Sequence, residues 1–554
     1  MVEHADKDRI INIAARMREM ARTQPYKKAV IAPHGRDHGG RATYAHFTFA
    51  QLDADSSKIA DGLEKAGITR GTRTILMVRP SLDFFSLVFG LFKAGIVPVV
   101  VDPGMGIKRM VSCFAETEPQ AFIGIPLAHI VRKVYTEFFK TVETWVTVGK
   151  RWFWGGSTLE DIRAAGSTAH RMADTMADET AAVLFTTGST GPAKGVIYTH
   201  GMFDAQIQHI QDHFQIALDE IDLPTFPLFA LFDPALGMTA VIPDMDPTKP
   251  AFVDPKKIIE GVTNHGVTNM FASPALLKRV GSYCVKRNVT LPSLRRVVSA
   301  GAPVHPENIE QFSHALEGYS EIHTPYGASE AVPVISIGSR EILADTKRMS
   351  EQGFGNCIGR SLDGISARLI RISDDPIEQW SEDLLVPPGD VGEIVVKGGL
   401  VTRSYYNRPE DTAATKIMDD DGFWHRMGDL AWMDQQGRFW FCGRKSHRVV
   451  CEDKTLFTIP CEAVFNNHPH VARSALVGLG DPGHRKPVIC IETTNEKDID
   501  RKELASELLE LAKTHELTKD IETVLFHKRF PVDIRHNAKI FREKLTAWAE
   551  KKLK

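Results

Sequence analysis

The stretch Phe185-Thr186-Thr187-Gly188-Ser189-Thr190-Gly191-Pro192-Ala193-Lys194-Gly195 decides how this chain is read. It follows an apolar run, Ala181 to Phe185, and gathers hydroxyls, glycines and one cation into a short loop. Such a loop suits a triphosphate. Glycines let backbone N–H groups approach phosphate oxygens closely. The hydroxyls of Thr186, Thr187, Ser189 and Thr190 donate to the same oxygens, and Lys194 neutralises charge. The spacing is not the ordinary G-x-x-x-x-G-K-S/T loop, because Gly188 and Gly191 are followed by Lys194 and Gly195.

Composition fits a soluble enzyme. The 554 residues are 43% hydrophobic and 25% charged, which is ordinary globular usage, and the length suggests about four domain-sized units. A net charge of -3 leaves no electrostatic footprint for nucleic acid. Seven cysteines, an odd number with no C-x-x-C, point to reduced thiols in a cytoplasm. The first residues, Met1 to Lys7, are charged and lack the apolar core of a signal peptide. The most hydrophobic region, Phe84 to Val101, is interrupted by Lys93 and Pro98. We therefore expect no membrane span there, but a buried helix running into a strand at Val97 to Val101.

Along the chain, helices and strands alternate. Helices are expected at Ile10 to Ala21, Leu52 to Ala66 (closed by Gly67), Leu82 to Lys93 and Met202 to Phe214, with strands at Ala29 to Ile31 and Thr74 to Val78. His34 to Gly40 reads as a hairpin tip. His209 and His213 stand one turn apart, a spacing that binds zinc when a third ligand is present. None is apparent, so we read a surface pair. The acidic, proline-containing segment Ser373 to Asp390 is expected to join sub-blocks. The alternation implies a largely parallel, layered α/β body.

Four further motifs follow in order: Ser299-Ala300-Gly301-Ala302-Pro303, Tyr326-Gly327-Ala328-Ser329-Glu330, Trp424-His425-Arg426-Met427-Gly428-Asp429 with Gly443-Arg444, and Asp533-Ile534-Arg535-His536-Asn537-Ala538-Lys539. Together with the loop at 185–195, this series resembles the adenylate-forming superfamily of acyl-CoA synthetases, luciferases and adenylation domains. Phe92-Lys93-Ala94-Gly95 and Val101-Asp102-Pro103 extend the likeness over nearly the whole chain. The resemblance implies an α/β adenylate-forming fold. Residues 1–443 would form a large N-terminal domain of layered α/β subdomains, 444–446 a hinge, and 447–554 a small mobile C-terminal α+β domain. It implies ATP and Mg²⁺ as cofactors. Gly301, Ala302 and Pro303 would leave room for adenine beside the backbone, and Tyr326 would stack on it next to Gly327. Ser329 would touch the α-phosphate. Glu330 and Thr186 would hold Mg²⁺, Asp429 the ribose hydroxyls and Arg444 ribose or phosphate. Lys194 and the mobile Lys539 would stabilise charge.

The sequence departs from the acyl-CoA synthetase pattern in ways that bear on the second nucleophile. Pro227-Leu228-Phe229-Ala230 carries alanine where the family has histidine, so the acyl pocket should be roomier. The hinge residue is Ser446. Residues 444–477 contain no glycine, with Cys451 to Thr455 in the place of the family's glycine after the hinge, and Ala538 precedes Lys539. We read the hinge and glycine changes as a site that needs no CoA. Leu223 to Gly237, Val241 to Pro247 and Phe530 to Lys539 resemble the β-lactone synthetase branch of bacterial long-chain olefin biosynthesis. That branch implies a 2-alkyl-3-hydroxy fatty acid substrate and a thiolase, reductase and decarboxylase as partners. The substrate pocket is expected at Phe229, Ala230, Phe232, Asp233 and Gly237, with Phe226, Leu231, Leu236 and Met238 either lining it or packing as core. A long-chain acyl-CoA synthetase and a non-catalytic scaffold of the same fold stand as alternatives.

Overall fold

The computed structural model of the chain describes residues 9–186, 193–494, 499–532 and 539–554. Its first sheet has strands β1 (Arg73–Met77), β2 (Val97–Val101), β3 (Ala121–Gly124), β4 (Thr144–Thr147), β5 (Ser157–Thr158), β6 (Thr180–Thr186) and β7 (Lys194–Thr199). Their order is β5-β4-β3-β1-β2-β6-β7. All neighbours are parallel except β6 and β7, which are antiparallel with Thr186 opposite Lys194. Helices α1 (Leu82–Lys93), α2 (Ile107–Glu116) and α3 (Pro126–Val134) connect β1 to β2, β2 to β3 and β3 to β4.

Side chains of a strand alternate between faces, and the core follows that rule. Leu76, Ala121, Ile123 and Ala182 pack with α1 on one face. Ile75, Val99, Val101, Phe122 and Phe185 pack with α2 on the other. Both faces are covered, which is why these strands read as continuous apolar runs. Helix α1 is apolar over most of its surface because all but its first turn is enclosed: Phe84, Phe85, Phe89 and Phe92 are all buried, each burial stabilising by about 1.5–3 kcal/mol. The Ser81 hydroxyl caps it, accepting from the Phe84 N–H at 3.3 Å. Lys93 is tolerated in the core because its ammonium donates to Asp53 Oδ1 at 2.6 Å, Ser56 Oγ at 2.8 Å and Ser57 Oγ at 2.9 Å. Burial still lowers its pKa to about 8.

A second seven-stranded sheet runs from Glu321–His323 through Arg296–Ser299, Asn269–Ala272, Ile221–Pro224, Thr239–Val241 and Lys28–Arg36 to Ala42–Thr48, parallel up to the last, antiparallel pair. An eight-stranded antiparallel sheet spans Tyr326 to Arg444. After it come the short hairpin Val449–Val450/Thr455–Leu456 and a three-stranded sheet flanked by the helices Thr458–Asn466, Arg501–Lys513 and Arg542–Leu553. Two core clusters serve this last part, and none of their buried members precedes Val449.

Several local expectations move. The first helix is Ala14–Thr23, since Ile10 forms an isolated bridge to Met176. His34 belongs to strand Lys28–Arg36, whose partner strand begins at Ala42, so the turn is confined to 37–41. The segment from Ser373 to Asp390 does not join sub-blocks. It is an excursion between strands Ser366–Ile370 and Gly392–Lys397, which pair directly with each other. Gly67 closes the helix Phe49–Lys65 in the left-handed region, φ +85°, as its type allows. His213 is exposed and His209 half-buried. Among the described residues no group of three or more His, Cys, Asp or Glu is placed to hold a metal.

Candidate active site

Parallel α/β sheets place ligands at the carboxyl ends of their strands, and here two sheets turn those ends toward one cavity of about 1540 Å³. The ends of β1, β2 and β6 contribute Met77, Val101 and Phe185; the second sheet contributes Pro224, Phe271 and Ala300. The antiparallel sheet adds Gly327 to Glu330, His425 to Gly428 and Arg444, and Lys539 closes the wall from the C-terminal part.

At the polar end, Lys194 lines the cavity from β7. Its ammonium lies 2.7 Å from Asp411 Oδ1 and 4.9 Å from the centroid of the Tyr405 ring. The Tyr405 hydroxyl donates to Glu330 Oε1 at 2.7 Å. Burial, reinforced by Glu330, raises the Tyr405 pKa, so the phenol stays a donor. Behind them Lys416 is buried, donating to Thr402 O and standing 3.0 Å from His425 Nδ1. Burial lowers the Lys416 pKa to about 7 and drives that of His425 far below the usual value.

Asp429 and Arg444 are partners in the register of neighbouring strands. Asp429 Oδ1 lies 3.0 Å from Arg444 Nε, an ion pair without hydrogen-bond alignment, while Asp429 Oδ2 accepts from the Tyr326 hydroxyl at 2.6 Å. Burial raises the Asp429 pKa, against the pull of Arg444, Tyr326 and Lys539. Gly327 sits in a hairpin where a Cβ would fall 2.5 Å from Ala331 O, so only glycine fits. Tyr198, from β7, donates to Ser329 O and ties this hairpin to the first sheet.

The structure thus brings Lys194, Gly301, Gly327, Ser329, Glu330, Arg444 and Lys539 to one cavity wall, with Tyr326 and Asp429 bonded directly behind Arg444. Ala302 and Pro303 follow Gly301 but do not line the cavity. Thr187, Gly188, Ser189, Thr190 and Gly191 lie outside the described residues, as does the side chain of Thr186.

At the apolar end, Phe226, Phe229, Ala230, Leu231 and Phe232 line the wall. Two expected pocket residues do not. Asp233 is buried behind the wall, hydrogen-bonded to Asp222 of the second sheet, and Gly237 packs against Leu218 and Met20. The cause is the short helix Phe232–Ala235, which turns Phe232 to the cavity and Asp233 away. Leu236 and Met238 are core. Tyr405, Asp411 and Lys416 belong to no loop or spacing pattern in the sequence, and His425 falls inside the motif at 424–429 without a role of its own there. Tyr405 comes from an isolated bridge to Val196, Asp411 from the seven-residue helix Pro409–Thr415, Lys416 from the start of strand Lys416–Asp419 and His425 from within strand Gly422–Met433, and only folding brings them to this end of the cavity.

Residues 17–406 match the AMP-binding enzymes, and the chain belongs to that family. Within it, the chain is 45% identical over 548 residues to an olefin beta-lactone synthetase of Xanthomonas campestris pv. campestris, covering 98% of each chain. It is 46% identical over 554 residues to the olefin beta-lactone synthetase of Stenotrophomonas maltophilia, covering 99% of each. In fold it is similar to ATP-bound MatB from Rhodopseudomonas palustris, with a TM-score of 0.78 at 20% identity over 99% of this chain and 100% of that one.

Proposed function

We propose that the protein activates a 2-alkyl-3-hydroxy fatty acid with ATP and that the acid's own 3-hydroxyl then closes a β-lactone. Near-full-length identity of 45–46% to two olefin beta-lactone synthetases carries this reading. The cavity supports it, being aromatic-lined at its apolar end and roomy enough for a nucleotide and an acyl group together.

In the first step a carboxylate oxygen attacks the α-phosphorus, the bond to the β-phosphate oxygen breaks, and pyrophosphate leaves. In the second the hydroxyl oxygen attacks the acyl carbon, the acyl–oxygen bond to AMP breaks, and the hydroxyl proton is released. Because nucleophile and electrophile share one molecule, proximity supplies much of the second step. The loop 186–191 and Lys194 would cradle phosphates. Gly301 to Pro303 and Tyr326 would border adenine, Asp429 and Arg444 the ribose, and Ser329 the α-phosphate. Glu330, a hard oxygen ligand at the wall and held by Tyr405, suits Mg²⁺ together with Thr186. Mg²⁺ would supply charge neutralisation on the phosphates, and Lys539 would add a cation where charge develops.

On this reading the enzyme would act after a thiolase-type condensation and a ketone reduction, and before a decarboxylase that converts the lactone to an alkene. The seven free thiols support a cytoplasmic setting, and no described helix is long and apolar enough to cross a membrane. A 3-deoxy analogue tests the order of steps. It should release one pyrophosphate per enzyme and then stall with bound adenylate. Continuous AMP release from the analogue would contradict capture by the substrate's hydroxyl.

A further inference from the structure

The carboxyl edge of the first sheet carries an exposed row of aromatic, aliphatic and basic side chains that the proposed chemistry does not use. Parallel strands β4, β3, β1 and β2 are neighbours in that order, so the connections leaving their ends stand side by side. The connection after β4 is Val148-Gly149-Lys150-Arg151-Trp152-Phe153-Trp154-Gly155-Gly156. Its root is fixed. Trp154 is buried, stacks on His129 with centroids 5.0 Å apart, and donates to Thr147 Oγ1 at 2.9 Å. Its tip projects: Phe153 is 80% exposed and Trp152 50%. Beside it, Leu127 at the start of α3 is 59% exposed, and Ile107 at the start of α2 is 49% exposed.

The charges of this edge are mostly basic. Those in the four connections and the first turns of α1, α2 and α3 are Arg79, Asp83, Asp102, Lys108, Arg109, Lys150 and Arg151, with Asp83 paired to Arg163 at 2.6 Å. Five of these seven are basic, in a chain whose net charge is -3. The five cations are exposed, and Arg151 has one distant carboxylate, Asp161 at 3.9 Å. Arg79, Ile107 and Leu127 also line the large cavity, so the row stands at one of its mouths. The cavity reaches both faces of the sheet there, taking Leu76 and Phe89 from one face and Met110 and Val131 from the other.

We infer that this edge rests on an anionic lipid surface, with Trp152 and Phe153 in the headgroup–acyl boundary and the cavity mouth facing the lipid. Aromatic rings on a fixed stem favour that boundary, where one side is apolar and the other wet. Arginine and lysine around them are drawn to anionic headgroups, an attraction that salt weakens. An anionic bilayer matches both the sign of the charge and the apolar tip. A water-insoluble acid with two alkyl chains would then enter without crossing water, a consequence that rests on the proposed function. The contact itself does not.

Sedimentation with vesicles tests the contact without substrate or turnover. The full chain should bind vesicles of phosphatidylcholine with phosphatidylglycerol, bind pure phosphatidylcholine at least about tenfold less, and be released by high salt. Trp152→Ser/Phe153→Ser and Lys150→Glu/Arg151→Glu should each lose binding on the order of tenfold. Both variants should keep wild-type turnover of a short, water-soluble hydroxy acid, which also shows that they fold. Absence of wild-type binding to the mixed vesicles would overturn the inference, as would binding unchanged in both variants. So would a light-scattering result in which the double substitutions dissociate an oligomer, because the edge would then be a protein interface.

Discussion

Tyr405 and Glu330, from segments 75 residues apart in sequence, meet through a 2.7 Å hydrogen bond from phenol to carboxylate. The same ring lies under the Lys194 ammonium. One side chain therefore orients both the acid proposed to bind Mg²⁺ and the cation proposed to meet phosphate. Its burial keeps the phenol protonated and able to donate.

Tyr405→Phe keeps the ring but removes the donor. We expect the Mg²⁺ concentration for half-maximal pyrophosphate release to rise about tenfold, with a stability loss of only about 1 kcal/mol. Glu330→Gln should raise it further, because an amide oxygen is a weaker ligand for a hard dication. An unchanged Mg²⁺ titration in both variants would reduce the pair to a structural hydrogen bond.

Lys539→Ala should slow adenylation by about two to three orders of magnitude and leave the fold intact. Lys539 precedes helix Arg542–Leu553, which is anchored by Leu545 and Ala549 rather than by the lysine. Pulsed measurement of pyrophosphate release reads the step directly. A near-wild-type rate would remove Lys539 from the chemistry.

Ala230→Leu tests the apolar end. Ala230 lines the cavity and is itself buried, so added methylenes enter the space proposed for the acyl chains. We expect kcat/KM for a 2-alkyl acid to fall about 10–100-fold, and to fall less for an unbranched 3-hydroxy acid. Equal losses for both would indicate repacking of the wall instead of a specific clash.

The Asp222–Asp233 pair behind that wall predicts a pH dependence. Burial raises both carboxyls, Asp222 to about 7 and Asp233 well above its usual value, with the neighbouring carboxylate adding to the rise at Asp233. An acid raised in the folded state contributes stability below its unfolded pKa and loses it as pH rises through the folded value. Wild-type stability should therefore fall, through this pair, from about pH 4 past pH 7. Asp233→Asn supplies a permanent N–H donor. Its Tm should exceed the wild-type value at pH 8, and the difference should shrink toward pH 5. A difference independent of pH would contradict a shared proton.

Much of this was legible in the sequence because it is local. The largely apolar helix Leu82–Lys93 and strand Val97–Val101 were bounded by their own residues. Motifs around Tyr326, Asp429 and Arg444 mark strands that one antiparallel sheet places together. What was not legible depends on direction and distance. Asp233 follows Phe232 in sequence, yet one helical step turns it from the cavity to the core. Tyr405, Asp411 and Lys416 belong to no recurrent loop; their roles arise from contacts with Glu330, Lys194 and His425 made only in the fold.

Product analysis with and without CoA tests the central claim most directly. The protein, ATP, Mg²⁺ and a 2-alkyl-3-hydroxy acid should yield a compound of substrate mass minus water, with AMP and pyrophosphate in equal amounts. NMR should show an intact four-membered ring lactone and not an alkene acid. Added CoA should neither speed the reaction nor appear in the product. Efficient formation of a CoA thioester, with no lactone, would contradict the account.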